Sequence, residues 1–353
     1  MSIKKIRYRI WYTIFKLFSQ QNKTIRPKPN NVLFLCHPGI GDVILTTPIF
    51  TAFKNKFPYA IIDVITSTKG ALILQNNPAL NQIFSRISRK LNIKELPFIR
   101  QIRKKNYDYI IDLCDWSSPG RLLKIKLFGG KQKLRLRNTS VENNRGETES
   151  WNVYDHVVEA DQTDHFSIYQ SAILKFFNIQ IEQYEYKIYL SSEQARQQIK
   201  KLNLTSPIVF LNFGGSRINN SLCFTQVEYI LNTIISNFPS AKIIFNTFNI
   251  HWFKTYKNII KNLSNQILIL SDIKISTLVE WIKHSDLVIG TDSGSSHIAT
   301  ACNVKQIIFS LSSNNDTQYF IPMYGEYCSI RLDENSIDNL KDFPTILKRM
   351  LGK

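Results

Sequence analysis

A chain of 353 residues, 43% hydrophobic and 20% charged, is long enough for two domains with cores of their own and too apolar to stay disordered over most of its length. Its 45 Lys and Arg against 27 Asp and Glu leave a net charge of +18, which favours an anionic partner: a nucleotide, a phosphorylated lipid surface or a nucleic acid. Five scattered cysteines (Cys36, Cys114, Cys223, Cys302, Cys328) contain no C-x-x-C pair, which argues against a disulfide framework or zinc site and fits a reducing cytoplasm. No run reaches the roughly 18 apolar residues a membrane span needs. The N-terminus has neither the apolar region nor the cleavage site of a signal peptide.

In chain order, residues 1–30 form a first segment with eight Lys/Arg and no acid. At about 100° per residue, Ile3, Ile6, Ile10, Ile14 and Leu17 share one stripe, with Lys5, Arg9 and Lys16 opposite. Such a helix lies in a membrane interface, with Trp11 and Phe18 at the boundary, or docks on the protein's own domain; both readings stand. Next comes a strand at 32–36, the glycine loop HPGIGD, a helix at 43–56, Phe57-Pro58, and a strand at 61–66. A basic stretch comes after it, where residues 86–105 carry eight Lys/Arg against Glu95 alone, and then a strand at 107–113. The polar run 137–150 reads as a loop.

The second half repeats the first: a strand at 208–213, the loop GGSRINNS, a helix at 225–237, Phe238-Pro239, and a strand at 242–247. Further strands are expected at 266–270, 286–290 and 306–310, and helices at 276–284 and 337–351. Continuous β-branched runs alternating with helical periods are the mark of parallel strands buried between helices. The expected organisation is an N-terminal domain at 31–190, a linker at 191–206, a second domain at 207–330 and a C-terminal helical segment at 331–353. In such doubly wound α/β domains ligands sit at the C-terminal ends of the strands, here facing a cleft between the domains.

Three strand exits carry the chemistry. C-H-P-G-I-G-D-V-I-L-T-T-P puts two glycines after a buried strand and Asp42 where the loop becomes helix, so Asp42 is a helix cap or a reactive carboxylate. It lacks the third glycine of a dinucleotide fingerprint and the G-K-[ST] of a P-loop. D-L-V-I-G-T-D-S-G-S-S-H-I-A-T-A ends a strand at Gly290 and opens a helix with small residues. The N–H groups of Ser293, Gly294 and Ser295 and the serine hydroxyls suit a phosphate there, with Asp292 for a sugar hydroxyl and His297 for a phosphate. The plain alternatives are a cap for Asp292 and a half-buried imidazole for His297. In N-F-G-G-S-R-I-N-N-S, Arg217 stands ready for a phosphate after Gly214, Gly215 and Ser216.

Taken together, HPGIGDVILTTPIFTAFKNKFPYAIIDVIT and SDLVIGTDSGSSHIATACNVKQIIFS resemble the two signature segments of the heptosyltransferase-like glycosyltransferases of family 9, over about residues 31–325. The resemblance implies a GT-B fold: two Rossmann-like doubly wound domains facing each other across a cleft that holds the active site. It implies inverting, metal-independent transfer of a heptose or related sugar from a nucleotide sugar, typically ADP-heptose, to a lipopolysaccharide inner-core acceptor. Asp42 would be the general base, and His37, Gly39, Ile40, Gly41 and Thr46 the acceptor-side loop. Gly214, Gly215, Ser216, Arg217, Asn220, Asp292, Ser293, Gly294, Ser295 and His297 would bind the donor. No cofactor or metal is expected, and the chain holds no D-x-D triplet.

The partners expected are the nucleotide sugar, an anionic glycolipid and the cytoplasmic face of the inner membrane, with the basic N-terminal domain cradling the acceptor through residues such as Lys104 and Lys105. Nucleic acid is not expected, since no stacking motif accompanies the charge. The chain departs from the family pattern at Asn220, where a lysine is usual, at Leu222-Cys223, near the usual W-P pair, and at Asn249 and His251, where a glutamate is usual. Donor base and sugar therefore stay open, and another hexose transferase or a nucleotide-sugar epimerase on the same scaffold is the alternative.

Overall fold

The computed structural model describes residues 28–86, 92–114, 118–138, 153–161, 165–204, 207–214, 222–247, 266–311, 319–333 and 336–352. The amphipathic segment 1–18, most of the run 137–150, and Gly215, Ser216, Arg217, Asn220, Asn249 and His251 lie outside these residues. The chain divides into two compact units, the first ending at Tyr184 and the second beginning at Glu185.

The first unit is built on a six-stranded, all-parallel sheet. Its strands are β1 (Asn31–Leu35), β2 (Ile61–Thr66), β3 (Gln82–Ser85), β4 (Tyr109–Asp112), β5 (Gln132–Asn138) and β6 (His156–Ala160), in the order β3-β2-β1-β4-β5-β6. The connections carry helices α1 (Ile40–Lys56), α2 (Thr68–Leu74), α3 (Leu96–Lys104), α4 (Pro119–Phe128) and α5 (Phe166–Ser171). Central strands such as β1, NVLFL, are buried on both faces, because parallel strands joined by crossover helices are covered on both sides. Phe34 meets Phe50 and Phe53 of α1 edge-to-face on one side, while Leu33 and Leu35 join Phe98, Ile102 and Ile125 on the other.

Helix α1 holds Pro48 in its interior, where the missing N–H would leave the Ile44 carbonyl without its helical donor. The Thr47 hydroxyl donates to that carbonyl at 2.7 Å instead, and the Thr46 hydroxyl donates to the Asp42 carbonyl at 2.7 Å. The T-T-P sequence is thus a helix whose interrupted ladder is repaired by side chains.

In the second unit the strands are β7 (Ile208–Asn212), β8 (Lys242–Thr247), β9 (Ile267–Ser271), β10 (Leu287–Thr291), β11 (Lys305–Leu311) and β12 (Tyr327–Leu332). They are again all parallel, in the order β12-β11-β10-β7-β8-β9. Read from the other edge, this is the same winding as in the first unit. Helices α6 (Glu193–Leu202), α7 (Phe224–Asn237), α8 (Ile275–Lys283), α9 (Gly294–Ala301) and α10 (Phe343–Leu351) complete it.

Some expectations change. Most of the stretch expected as a linker is helix α6, capped by Ser192 and tied to α8 through Arg196 and the buried Glu280 at 3.1 Å. Arg137 and Asn138, expected in a loop, end strand β5. The expected final helix begins late, because Pro344 fits only a first turn: β12 runs to Leu332, a 3-10 turn occupies Asp338–Leu340, and α10 starts at Phe343.

Candidate active site

In the first unit the chain leaves β1 through Cys36, His37, Pro38 and Gly39. The Cys36 N–H donates to Ile65 O at 2.9 Å. The exit of β2 then clamps the next two residues: Thr66 Oγ1 donates to His37 O at 2.9 Å and Ser67 Oγ to Pro38 O at 2.6 Å. His37 is buried. Its Nε2 donates to Leu113 O at 2.7 Å, across to the exit of β4, and its ring meets Phe166 edge-on. The imidazole expected on the acceptor side therefore locks two strand exits together.

Gly39 takes the N-cap position of α1 in an extended conformation, with Ile40, Gly41 and Asp42 forming a half-buried first turn. A Cβ on Gly39 would stand 2.5 Å from Asp42 Oδ2, so the carboxylate is folded back over this glycine at the positive end of the helix. The Asp42 carboxylate makes no hydrogen bond or ion pair with any described residue, although its main-chain carbonyl accepts from Thr46. The buried acids described in the unit are engaged. Asp63 takes Lys105 at 2.9 Å, Tyr107 at 2.7 Å and Asn81 at 2.8 Å. Lys105, expected with Lys104 to face an acceptor, is thus turned to an internal partner.

Asp112, wholly buried, accepts a bidentate pair from Arg121, a bond from Tyr154 Oη and the Cys114 N–H. Burial alone would raise its pKa, but the Arg121 guanidinium and these donors hold the carboxyl below its usual range.

The same ends of β1, β2 and β4 border a small cavity in this unit. Leu35, Cys36, Ile65 and Phe98 line its apolar side, and Arg86, Arg121, Lys124 and Glu95 its charged side. Burial pushes the Lys124 ammonium below the usual lysine range, and Glu95 at 3.3 Å opposes that only in part. Arg121 and Lys124 stand outside the glycine loops that drew attention in the sequence; their signal is the spacing of cations along one face of α4.

In the second unit β10 and β7 are neighbours at which the winding reverses, and both exits carry candidate residues. Gly290 is required by that pairing, since a Cβ there would lie 2.4 Å from the Asn212 main-chain oxygen. Beyond Thr291 the chain opens α9, with Ser293 at the N-cap in extended conformation and its side chain making no capping bond. The Gly294 and Ser295 N–H groups therefore have no intrahelical acceptor.

Beneath this bare end runs a relay of side chains. Asn246 Nδ2 donates to Asn212 Oδ1 at 3.0 Å, Asn212 Nδ2 donates to Ser295 Oγ at 2.7 Å, and the hydroxyls of Ser295 and Ser293 share a bond of 2.9 Å. Asn212 Nδ2 also lies 3.2 Å from Gly214 O, so the β7 loop and the α9 turn are tied by one amide. Asp292, Ser293 and Gly294 are half-buried, while Ser295 and His297 are buried. The Ser295 side chain thus supports the turn from below, leaving its main-chain N–H as the group suited to a ligand. Thr291 Oγ1 is buried with no partner among the described residues. Asn212 opens the NFGG run without being singled out there, Asn246 lies in no motif, and their pairing shows only once β7 and β8 lie side by side.

Comparison with known proteins points the same way. Residues 96–343 match the family described as glycosyltransferase family 9 (heptosyltransferase). The chain is 24% identical over 280 residues to lipopolysaccharide heptosyltransferase 1 of Campylobacter coli, covering 75% of this chain and 79% of that protein. Among solved structures it is similar to E. coli ADP-heptose lps heptosyltransferase II, with a TM-score of 0.73 and 15% identity over 91% of this chain and 98% of that one. It is also similar to E. coli heptosyltransferase WaaC with ADP-2-deoxy-2-fluoro heptose, with a TM-score of 0.68 and 15% identity over 90% and 98% of the two chains. At these identities the structures speak for a shared fold, the GT-B arrangement of two Rossmann-like domains.

Proposed function

Because this chain belongs to glycosyltransferase family 9, the heptosyltransferases, and is a glycosyltransferase, we propose that it transfers a heptose from ADP-heptose to the inner core of a lipopolysaccharide acceptor. The observation that carries the reading is the uncommitted carboxylate of Asp42 on a rigidly held helix start. In this reading Asp42 removes the proton from an acceptor hydroxyl. The freed oxygen attacks the anomeric carbon from the face opposite the leaving diphosphate, inverting the configuration. Negative charge grows on the departing nucleotide phosphate, and the uncapped N–H groups of Gly294 and Ser295 at the positive end of α9 are suited to receive it. This replaces the electrostatic service of a metal ion. Asp292 and His297 then hold the sugar and diphosphate, with Arg217 as a further phosphate contact.

The acceptor is anionic in this reading, and the cavity whose three cations Arg86, Arg121 and Lys124 outnumber their partners Asp112 and Glu95 supports an acidic group on it. The expected setting is the cytoplasmic face of the inner membrane.

The test is transfer by the purified chain from ADP-, UDP- and GDP-linked sugars to a lipopolysaccharide acceptor truncated before its heptoses, read by mass spectrometry of the product. Addition of one heptose from the ADP donor, in chelator, is the expected result. Transfer of a different sugar, or epimerisation of the donor without transfer, would overturn the assignment.

A further inference from the structure

Residues 86–105 contain eight Lys/Arg and one acid, and the fold takes that acid off the surface. Glu95 is 6% exposed, with its carboxylate turned inward to Lys124 at 3.3 Å and Arg86 at 3.6 Å. Helix α3 sends Phe98, Ile99 and Ile102 into the core. Its outer face is left with Leu96, Arg100, Arg103 and Lys104, and the 3-10 turn before it (Ile93–Glu95) adds Ile93 and Lys94. The side chains of Lys94, Arg100, Arg103 and Lys104 are exposed and have no acidic partner among the described residues. Set among them, Ile93 is 83% exposed and Leu96 41%. A cationic face with two bare aliphatic side chains at one end has the chemistry of an interfacial helix rather than of a merely solvated one.

We propose that this face, from Ile93 to Lys104, seats the protein on an anionic bilayer, with the four cations among lipid headgroups and Ile93 and Leu96 in the apolar boundary. The proposal stands apart from the identity of the donor and acceptor. Charge complementarity names a negatively charged partner. The aliphatic pair, with no aromatic side chain on the outer face of α3 to stack a base, selects a lipid surface over a nucleic acid. Ile93 and Leu96 begin the helix that comes after β3, so they stand at the same end of the sheet as the Asp42 loop. A lipid-anchored acceptor would then be met at the end where the carboxylate lies.

The experiment is co-sedimentation of the full chain with phosphatidylcholine vesicles, with and without phosphatidylglycerol, across a salt series. Binding only to the phosphatidylglycerol vesicles, weakening as salt rises, is expected. In Arg100→Gln/Arg103→Gln/Lys104→Gln the partition coefficient should fall about tenfold or more. In Ile93→Ser/Leu96→Ser, with net charge unchanged, it should fall several-fold. All five positions are on the surface, and thermal melts of both variants should match the parent. Failure of the parent chain to bind overturns the proposal. Unchanged binding in both variants overturns it too and moves the contact to another region such as residues 1–18. A charge-only effect, with Ile93→Ser/Leu96→Ser inert and poly-uridylate bound as tightly as vesicles, marks a general polyanion surface and also overturns it.

Discussion

The two units wind six parallel strands in the same order, yet they present opposite chemistry at their strand exits. In the first, the exit of the central strand β1 offers a bare carboxylate, Asp42, on a loop clamped by Thr66, Ser67 and His37. In the second, the exit of β10 offers bare N–H groups, propped from below by Asn246, Asn212 and Ser295. Both use the positive end of a helix, one to hold an anionic side chain and the other to receive an anionic ligand. One scaffold therefore serves either role according to which side chains are left without partners, while the surrounding polar groups are tied up in fixing the turn.

The sharpest way to break this comparison is to remove the uncommitted acid. Asp42→Asn is expected to lower kcat by about 10²–10⁴-fold while donor affinity, measured by calorimetry, stays within a few-fold. Equal loss in both quantities would show Asp42 to be part of the donor site. The committed acid should behave in the contrary manner. Asp112→Asn leaves the Arg121 guanidinium buried without its carboxylate, at about 3–5 kcal/mol of stability in urea unfolding.

The Asp112 pKa is lowered in the fold, so the stability it contributes is present above its unfolded value near about 3.9 and is lost as pH falls through the folded value. The Asn variant should accordingly show a flatter decline of stability on the acid side.

Gly290→Ala drives a methyl group onto the Asn212 main chain and is expected to cost about 1–3 kcal/mol, with weakened donor binding. Asn212→Ala keeps the main chain but leaves the Ser295 hydroxyl and the Asn246 amide short of a partner, at about 1–3 kcal/mol. Its mark should be a raised donor KM together with a fall in kcat smaller than that of Asp42→Asn, because the helix end that receives the leaving charge is loosened while the base in the other unit is untouched.

Much of this architecture can be read from residues alone. Apolar runs such as NVLFL and the β-branched IIDVIT betray central strands, since burial on both faces leaves little polar alternation to confuse them. Strand β5, QKLRLRN, gives no such signal because its charge hides its burial: Arg135 is buried against the Tyr154 ring. The short or edge strands β3, β6 and β12 have too few covered residues to show a pattern.

The two glycine turns are legible as ligand sites because a helix end with small residues is a local property. Which acids are free is not a local property. Asp42 and Asp112 both follow or end a buried strand, and only Arg121, 9 residues on, and Tyr154, 42 residues on, tell them apart. The Asn212–Asn246 pair likewise spans 34 residues.

The repaired ladder of α1 has a consequence for how this helix can change over generations. Thr47 and Pro48 share one carbonyl, that of Ile44, and the order in which they are replaced matters. Thr47→Val beside Pro48 strands a buried carbonyl at about 1–3 kcal/mol, whereas Pro48→Ala restores a main-chain donor first and makes the later loss of the threonine cheaper. Thermal melts of the two single variants and the double should show this as non-additivity. The pair is an epistatic ratchet, in which the proline must leave before the threonine can, and the turn bearing Asp42 is inherited along with it.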